Sequence, residues 1–314
     1  MSETSRGAAG TPPGGQGGPW SRGRVGIGPI GWVNDDIRGW GPEYTAARVM
    51  SEMSELGYAA SEMSYVYPQE PAALRAALAE HGLVLAGAYR WTNFAHAEFL
   101  EDELAAARAH VDFCRAAGAG FANLAEGGGS LHWDRRGRLG AVEPLSDEQW
   151  GRVCSALNEV GAYAREHGVA LCVHPHGGTA IEKPAEIERL FASTDPALVG
   201  YCLDTGHIAY GGGDPGATAR RFAARVGYVH LKDVRADVLA RVKREGLSFV
   251  EAVKANVFCT PGAGALAFDP VIGALEGAGY AGWYIVEAEQ DPAAHDPYVV
   301  SGAARAFLRE RYGL

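Results

Sequence analysis

Four apolar segments in the second half of the chain each end in a histidine or an acidic side chain. These side chains are His174, Asp204, His230 and Glu287. Two imidazoles and two carboxylates suit Mn²⁺, Co²⁺, Zn²⁺ or Fe²⁺, and a set without thiolates is typical of catalytic rather than structural metal sites. One histidine in such a place is usually only a hydrogen-bonded residue. Four successive segments with this ending predict a divalent metal site.

Two further histidines follow members of this set closely. His176 lies two residues past His174, so both share a face if the strand extends that far, and either one can take the metal. His207 lies three residues after Asp204. It can be a metal ligand, a hydrogen-bond donor to substrate, or a residue that orients a carboxylate. The sequence leaves both choices open.

Lys232 and Glu126 also follow apolar segments and are candidates for proton transfer. Lys232 can act as an acid or polarise an oxyanion, and the alternative is a solvated surface lysine. Glu126 precedes three glycines, which would let a ligand approach the backbone closely. It can serve as base, acid or substrate clamp, or it can simply cap a helix.

The first apolar segment continues into Trp32, Asn34, Asp35 and Asp36. Their polar side chains can bind substrate hydroxyl groups, so we predict a substrate-binding role for all four. Runs of Asn and Asp are also common in turns.

Short apolar segments alternate with amphipathic helical patterns eight times along the chain. The predicted strands are Val25–Trp32, Tyr58–Met63, Leu83–Tyr89, Phe121–Ala125, Ala170–His174, Val199–Leu203, Gly227–Leu231 and Trp283–Val286. Alternating βα units imply a parallel sheet, and eight of them predict an α/β fold of the closed (β/α)₈ TIM-barrel type. A doubly wound open sheet is the alternative. In a barrel the carboxyl ends of the strands surround one axis, which would bring the candidate residues together.

The helical patterns carry start signals that should fix where they begin. Ser146 followed three residues later by Gln149 predicts a capping box. Asp214-Pro215 and Asp269-Pro270 each predict an aspartate cap before a proline in the first turn.

Composition excludes several classes of protein. The 314 residues are 47% hydrophobic and 21% charged, and no apolar run is long enough to cross a membrane. The formal net charge of −10 disfavours nucleic-acid binding. Five widely spaced cysteines and the absence of a secretory signal predict a cytoplasmic protein without disulfides. Residues 1–22 are rich in Gly and Pro and are predicted to be a disordered tail, and residues 23–314 a single barrel domain.

These segments resemble the xylose-isomerase-like barrel superfamily of sugar isomerases, epimerases and apurinic endonucleases. Asp204-Thr205-Gly206-His207 and His230-Leu231-Lys232-Asp233 look like its strand-six and strand-seven signatures. That superfamily usually has Glu at the end of strand five, where this chain has His174-Pro175-His176. The inosose dehydratases share this departure, and they also resemble this chain over residues 28–36, 246–249, 257–262 and 286–292.

The resemblance implies a metal-dependent hydro-lyase of inositol catabolism that converts 2-keto-myo-inositol (scyllo-inosose) to a trihydroxycyclohexane-dione. It implies Mn²⁺ or Co²⁺ held by His174, Asp204, His230 and Glu287, with His207 near the substrate. The small-molecule partner would be a cyclic polyol or sugar, and related proteins often form dimers or tetramers.

Such a dehydration needs a base for the proton next to the ketone and an acid for the departing hydroxyl. We assign His176 or Glu126 as the base, and Lys232 or His207 as the acid or oxyanion donor. A sugar isomerase or epimerase, which shares the enediolate but keeps the hydroxyl, is the main alternative. A nuclease for damaged DNA and a non-catalytic sugar-binding protein are the others.

Overall fold

The computed structural model describes residues 24–35, 37, 39–127 and 143–314. The predicted disordered tail at residues 1–22 and the candidate Asp36 lie outside the described residues. Eleven strands are present in the described part of the chain. They are β1 (Arg24–Ile27), β2 (Ala60–Ser61), β3 (Val84–Leu85), β4 (Gly87–Thr92), β5 (Phe121–Glu126), β6 (Ala170–Val173), β7 (Val199–Asp204), β8 (Val226–Leu231), β9 (Asp233–Val234), β10 (Phe258–Cys259) and β11 (Trp283–Val286).

Nine of these strands form one parallel sheet that closes on itself. Its order is β3-β2-β1-β11-β8-β7-β6-β5-β4. The two strands at the ends of this order, β3 and β4, belong to one stretch of chain interrupted only at Ala86. The β3 part pairs with β2 and the β4 part with β5, so this stretch joins both ends of the sheet. The result is an eight-stave barrel, which confirms the predicted TIM-barrel fold and excludes the open sheet.

Helices follow the strands of the barrel, and all of them except α6 lie where the sequence patterns predict helices. They are α1 (Ala46–Glu55), α2 (Pro71–Glu80), α3 (Leu100–Ala117), α4 (Asp147–Glu166), α5 (Pro184–Ser193), α6 (Thr205–Tyr210), α7 (Pro215–Phe222), α8 (Ala236–Glu245), α9 (Phe249–Lys254), α10 (Asp269–Gly277) and α11 (Pro297–Tyr312). Apolar residues of these helices, apart from α8 and α9, pack on the outer face of the barrel in one large hydrophobic cluster. Burial of this face rather than helix propensity holds the elements in place.

Two of the three predicted helix caps are confirmed, and the third is wrong. Ser146 and Gln149 form the full capping box, and Asp214 accepts a hydrogen bond from the backbone of Ala217. Asp269 is instead the first residue of α10, and its carboxylate binds Arg311 at 2.6 and 2.8 Å. A guanidinium on a neighbouring helix therefore takes the oxygens that would have capped α10.

The first predicted strand and the segment after the sixth predicted strand differ from their predictions. Strand β1 ends at Ile27, because Pro29–Gly31 turn into a short 3₁₀ helix. The short helix α6 begins directly after Asp204, whose side chain caps it. No pattern in the sequence indicated α6, since six residues are too few to show a helical period.

A small cap stands over the carboxyl end of the barrel between β8 and α10. It contains the antiparallel pair β9–β10 and helices α8 and α9. Its apolar side chains form a hydrophobic cluster separate from the main one, with Phe249 and Phe258 fully buried. The cap therefore places apolar side chains directly above the carboxyl ends of the strands.

Candidate active site

The four residues predicted to hold a metal converge at the carboxyl end of the barrel. His174 follows β6, Asp204 ends β7, His230 lies in β8 and Glu287 follows β11. One ligand atom from each lies within 4.8 Å of the ligand atoms of the other three. The His230 Nδ1 to Glu287 Oε2 distance is 2.7 Å, and His174 Nε2 lies 3.5 Å from Asp204 Oδ2. The parallel register that pairs Asp204 with His230 produces this convergence.

The chemistry of this set fits a divalent cation. Asp204 Oδ2 and Glu287 Oε2 are buried, and both face ring nitrogens of the same set of residues. His174 Nε2 and His230 Nδ1 face each other at 3.1 Å. Buried carboxylate oxygens without a hydrogen-bond donor are costly unless a cation or a proton neutralises them. Two nitrogen and two oxygen donors within 4.8 Å of one another would meet this need by holding one metal ion.

The charge state of the set is consistent with a cation site. Burial alone would raise the pKa of Asp204, but the Lys232 ammonium holds that pKa well below its usual range. Burial opposes the charged form of His230, yet Cys202, Glu287 and Glu62 together raise its pKa well above the usual value. The carboxylates are therefore ionised, and without a metal a proton on His230 compensates them.

Lys232 lies inside the site and is not a surface lysine. Its side chain is 0% exposed. The ammonium Nζ lies 2.7 Å from Glu289 Oε2, 3.4 Å from Glu287 Oε1 and 3.5 Å from Asp204 Oδ2. Three carboxylates around one buried cation keep Lys232 protonated, because they outweigh the cost of burial and raise its pKa.

His207 belongs to this buried group as well. Its Nε2 lies 3.1 Å from Lys232 Nζ, and its Nδ1 accepts a hydrogen bond from the backbone N–H of Gly177 at 3.0 Å. Burial and the nearby Lys232 charge lower the pKa of His207 well below its usual value, so the imidazole is neutral. A neutral ring beside an ammonium is suited to exchange a proton with a bound substrate.

The structure separates His174 from His176. We call His174, Asp204, His230 and Glu287 the four-donor set. His176 lies outside this set and forms a second buried group with His207 and Glu289, in which one ligand atom of each residue lies within 4.8 Å of those of the other two. The His176 ring lies against the His207 ring at an angle of 39°, with ring centroids 3.8 Å apart, and the ring of Phe249 of the cap lies 4.9 Å from that of His176. Only His174 is therefore grouped with Asp204, His230 and Glu287.

Glu126 is buried at the end of β5, where its carboxylate binds the segment after β4. Its Oε2 accepts hydrogen bonds from Thr92 Oγ1 at 3.1 Å and the Phe94 N–H at 2.9 Å. Its Oε1 accepts from the Ala95 N–H at 3.2 Å. These contacts fix a connecting segment and do not cap a helix.

The predicted substrate-binding residues near β1 are held by protein contacts. The buried Trp32 indole donates to Glu52 Oε2 at 2.6 Å, and Asn34 Oδ1 accepts from the Ile37 N–H at 2.6 Å. Asp35 is exposed and accepts from Ser64 Oγ at 3.2 Å. A small cavity between the barrel and the cap is lined by Asn34 and Glu289 together with apolar side chains of α9, so of these residues Asn34 lies beside the buried site.

Comparisons with known proteins identify the family of this chain. A family model described as xylose isomerase-like TIM barrel matches residues 50–311. The inosose dehydratase of Geobacillus kaustophilus is 43% identical over 287 residues, which cover 91% of this chain and 93% of that protein. The Klebsiella pneumoniae inosose dehydratase is 38% identical over 295 residues, 93% of this chain and 98% of its own.

This chain belongs to the inosose dehydratase family. Solved structures agree on the fold of this dehydratase family member. An L-ribulose 3-epimerase matches with a TM-score of 0.67 at 18% identity, covering 91% of this chain and 93% of its own. A probable 3-DHS dehydratase from Bacillus anthracis matches with a TM-score of 0.69 at 12% identity, and the match covers 92% of this chain and 100% of that chain. In the part of the chain that the structure describes, no helix has both the length and the apolar character needed to span a bilayer.

Sequence patterns gave no role to two acidic residues of this dehydratase family member. Glu289, two residues after Glu287, pairs with Lys232, and burial raises the pKa of its carboxyl to about 7. Glu62 follows β2 and lies 3.0 Å from His230 Nε2, while Tyr228 donates to the same oxygen. With its Nε2 proton donated to Glu62, His230 would present an Nδ1 lone pair to the centre of the site once a metal ion displaces the second proton. Glu62 is a polar residue at the end of a strand, as the predicted site residues are. That position is the signal that could have identified it.

Replacing Glu62 with leucine is expected to weaken metal binding about 10- to 100-fold, because His230 loses the acceptor that fixes its tautomer and orientation. Glutamine at the same position keeps an acceptor oxygen and should give an intermediate value. Titration of the metal-free protein with Mn²⁺ measures both variants. Tyr228→Phe is the matched control, since it removes only the second hydrogen bond to Glu62. Wild-type affinity in Glu62→Leu would show that His230 needs no such support.

Proposed function

We propose that this protein dehydrates an inosose, 2-keto-myo-inositol, to a trihydroxycyclohexane-dione and thereby serves inositol catabolism. Its relatives named inosose dehydratase match nearly the whole chain. The observation that carries the mechanism is the buried convergence of two imidazoles and two carboxylates beside the Lys232 ammonium. A polar ketone with neighbouring hydroxyl groups is the kind of substrate that such a set of donors can bind.

His174, Asp204, His230 and Glu287 would hold the metal, and Mn²⁺ or Co²⁺ suits their mixture of nitrogen and oxygen donors. When bound, this ion supplies Lewis-acid polarisation of the ketone oxygen and a neighbouring hydroxyl. The buried oxygens Asp204 Oδ2 and Glu287 Oε2, which face the imidazoles of this set, support this assignment.

Proton transfer falls to side chains outside that set. A base removes the proton on the carbon next to the ketone, and the electrons of the broken C–H bond form an enediolate. An acid then protonates the β-hydroxyl, which leaves as water when its C–O bond breaks. His176 or Glu126 would be the base. Lys232 or His207 would be the acid or the donor that stabilises the oxyanion.

The surroundings of these groups favour this division of roles. Lys232 is charged and can donate a proton or a hydrogen bond, and the neutral His207 ring lies 3.1 Å from it. His176 lies against the His207 ring under Phe249 of the cap. The apolar side chains of the cap would limit access of water to the enediolate. Trp32, Asn34, Asp35 and Asp36 would contact the substrate from the β1 side.

Incubation of the Mn²⁺-loaded protein with candidate inososes tests the proposal directly. A dehydratase should yield a product lighter by one water, and the dione should absorb in the ultraviolet. A product of unchanged mass would favour the isomerase or epimerase. Mn²⁺ loading without turnover of any candidate would favour a protein that only binds sugars.

Replacing His176 or Glu126 with glutamine should separate catalysis from metal binding. Loss of a general base is expected to lower turnover about 10²- to 10⁴-fold while metal content stays intact. His167→Gln, half-buried at the end of α4, is the control. Metal analysis and turnover are measured on each purified variant. Loss of metal would reassign the substituted residue as a ligand.

Glu126 needs one further measurement, because its carboxylate also binds the Phe94 and Ala95 N–H groups. A glutamine has one acceptor oxygen, so Glu126→Gln should lower the melting temperature as well. Normal turnover per folded molecule at a lowered melting temperature would leave Glu126 a structural residue and His176 the base.

The protein would act in the cytoplasm, and related proteins often form dimers or tetramers. All five cysteines are buried and free, which suits a reducing compartment. Light scattering of the purified protein measures the number of chains.

A further inference from the structure

Cys202 lies in the barrel interior, one layer deeper than the four-donor set. It precedes Asp204 by two residues on β7, so both side chains point to the same face of the sheet, about 7 Å apart along the strand. The register places Cys202 beside Tyr228 and places Asp204 beside His230. Cys202 is 0% exposed and packs in an interior cluster with Cys172 and Tyr228.

The thiol of Cys202 forms a third group of potential ligands with the imidazoles of His174 and His230. One ligand atom each from His174, Cys202 and His230 lies within 4.8 Å of the other two, and all three residues are buried. This group shares both histidines with the upper set but replaces its two carboxylates by one sulfur. The two groups therefore compete for the same pair of imidazoles.

Ligand type separates the cations that each group prefers. Carboxylate oxygens suit hard ions such as Mn²⁺, whereas thiolate sulfur selects softer ions such as Zn²⁺ and Cd²⁺. A site with two nitrogens and one sulfur is an ordinary ligand set for such an ion.

We propose that Cys202, His174 and His230 form an alternative site that captures thiophilic divalent cations one layer below the Mn²⁺ or Co²⁺ position. Binding forms metal–sulfur and metal–nitrogen bonds and releases the thiol proton and the extra proton of His230 to solvent, with no change of oxidation state. Because both imidazoles are shared, an ion in the lower site withdraws them from Asp204 and Glu287. Zn²⁺ or Cd²⁺ should therefore displace the catalytic ion and inhibit the enzyme. The inference rests on the proposed metal site only through these two histidines.

The test compares Cys202→Ser with Cys172→Ser as a matched control. Cys172 occupies the equivalent position on β6, two residues before His174, and is equally buried. It is outside the three-residue group. Cd²⁺ and Mn²⁺ affinities are measured for each metal-free protein, together with the ultraviolet sulfur-to-cadmium charge-transfer band. General damage to the barrel would lower both affinities, so the informative quantity is the ratio of Cd²⁺ to Mn²⁺ affinity.

We expect the charge-transfer band in the wild type and in Cys172→Ser, and its loss in Cys202→Ser. The ratio of Cd²⁺ to Mn²⁺ affinity should fall at least tenfold in Cys202→Ser, roughly 1.4 kcal/mol. A band that persists in Cys202→Ser, or a wild type that binds Mn²⁺ and gives no band with Cd²⁺, overturns the inference. A wild type that shows the band but binds no Mn²⁺ supports the lower site and contradicts the proposed upper one.

Discussion

Substitution of Asp204 with asparagine is expected to abolish metal binding and to lower turnover about a thousandfold, or about 4 kcal/mol of transition-state stabilisation. The two carboxylate oxygens of Asp204 have separate roles. Oδ1 caps α6 by accepting from the His207 N–H at 2.8 Å, whereas Oδ2 faces the two imidazoles and Lys232. Asparagine is as good a helix cap as aspartate. The substitution therefore removes the buried negative charge and keeps the local fold.

Metal content and turnover of purified Asp204→Asn measure this effect. Asp214→Asn is the matched control, because Asp214 caps α7 in the same way on the exposed surface. The control should keep wild-type metal content and activity. If Asp204→Asn retained a full complement of metal, Asp204 would not be a ligand and the proposed site would need another acceptor.

Replacing Lys232 with methionine is expected to lower the free energy of unfolding of the metal-free protein by about 3–5 kcal/mol. Methionine fills similar space but leaves Asp204, Glu287 and Glu289 without the ammonium that neutralises them. Removing one partner from a buried set of charges is costly because the others stay buried and uncompensated. Turnover should also be lost, since Lys232 is an assigned proton or hydrogen-bond donor.

Urea unfolding with and without Mn²⁺ separates the stabilising role of Lys232 from its chemical role. The metal should restore part of the lost stability by neutralising the same carboxylates, but it should not restore turnover. Lys254→Met, on the exposed face of α9, is the control and should change stability by less than about 0.5 kcal/mol. Equal stabilities of the two variants would show that the buried lysine contributes no net stabilisation.

The fold could be predicted from the sequence because the barrel rests on local patterns. Each stave is a short apolar run, and each helix has an amphipathic period or a start signal such as the Ser146 capping box. The errors occurred where contacts from distant elements decide the outcome. Asp269 does not cap α10 because Arg311, more than forty residues away in sequence, binds its carboxylate.

The convergence of His174, Asp204, His230 and Glu287 followed from chain order alone. Residues that end successive parallel strands of a closed sheet must surround one axis, so four residue types and four strand ends were enough. Only the tertiary structure decided which groups lie around that centre. Lys232 could equally have been a surface lysine, and among the acidic residues near strand ends the sequence did not single out Glu62 or Glu289. Their positions depend on how far each strand extends and how it twists, and these features arise from packing over the whole barrel.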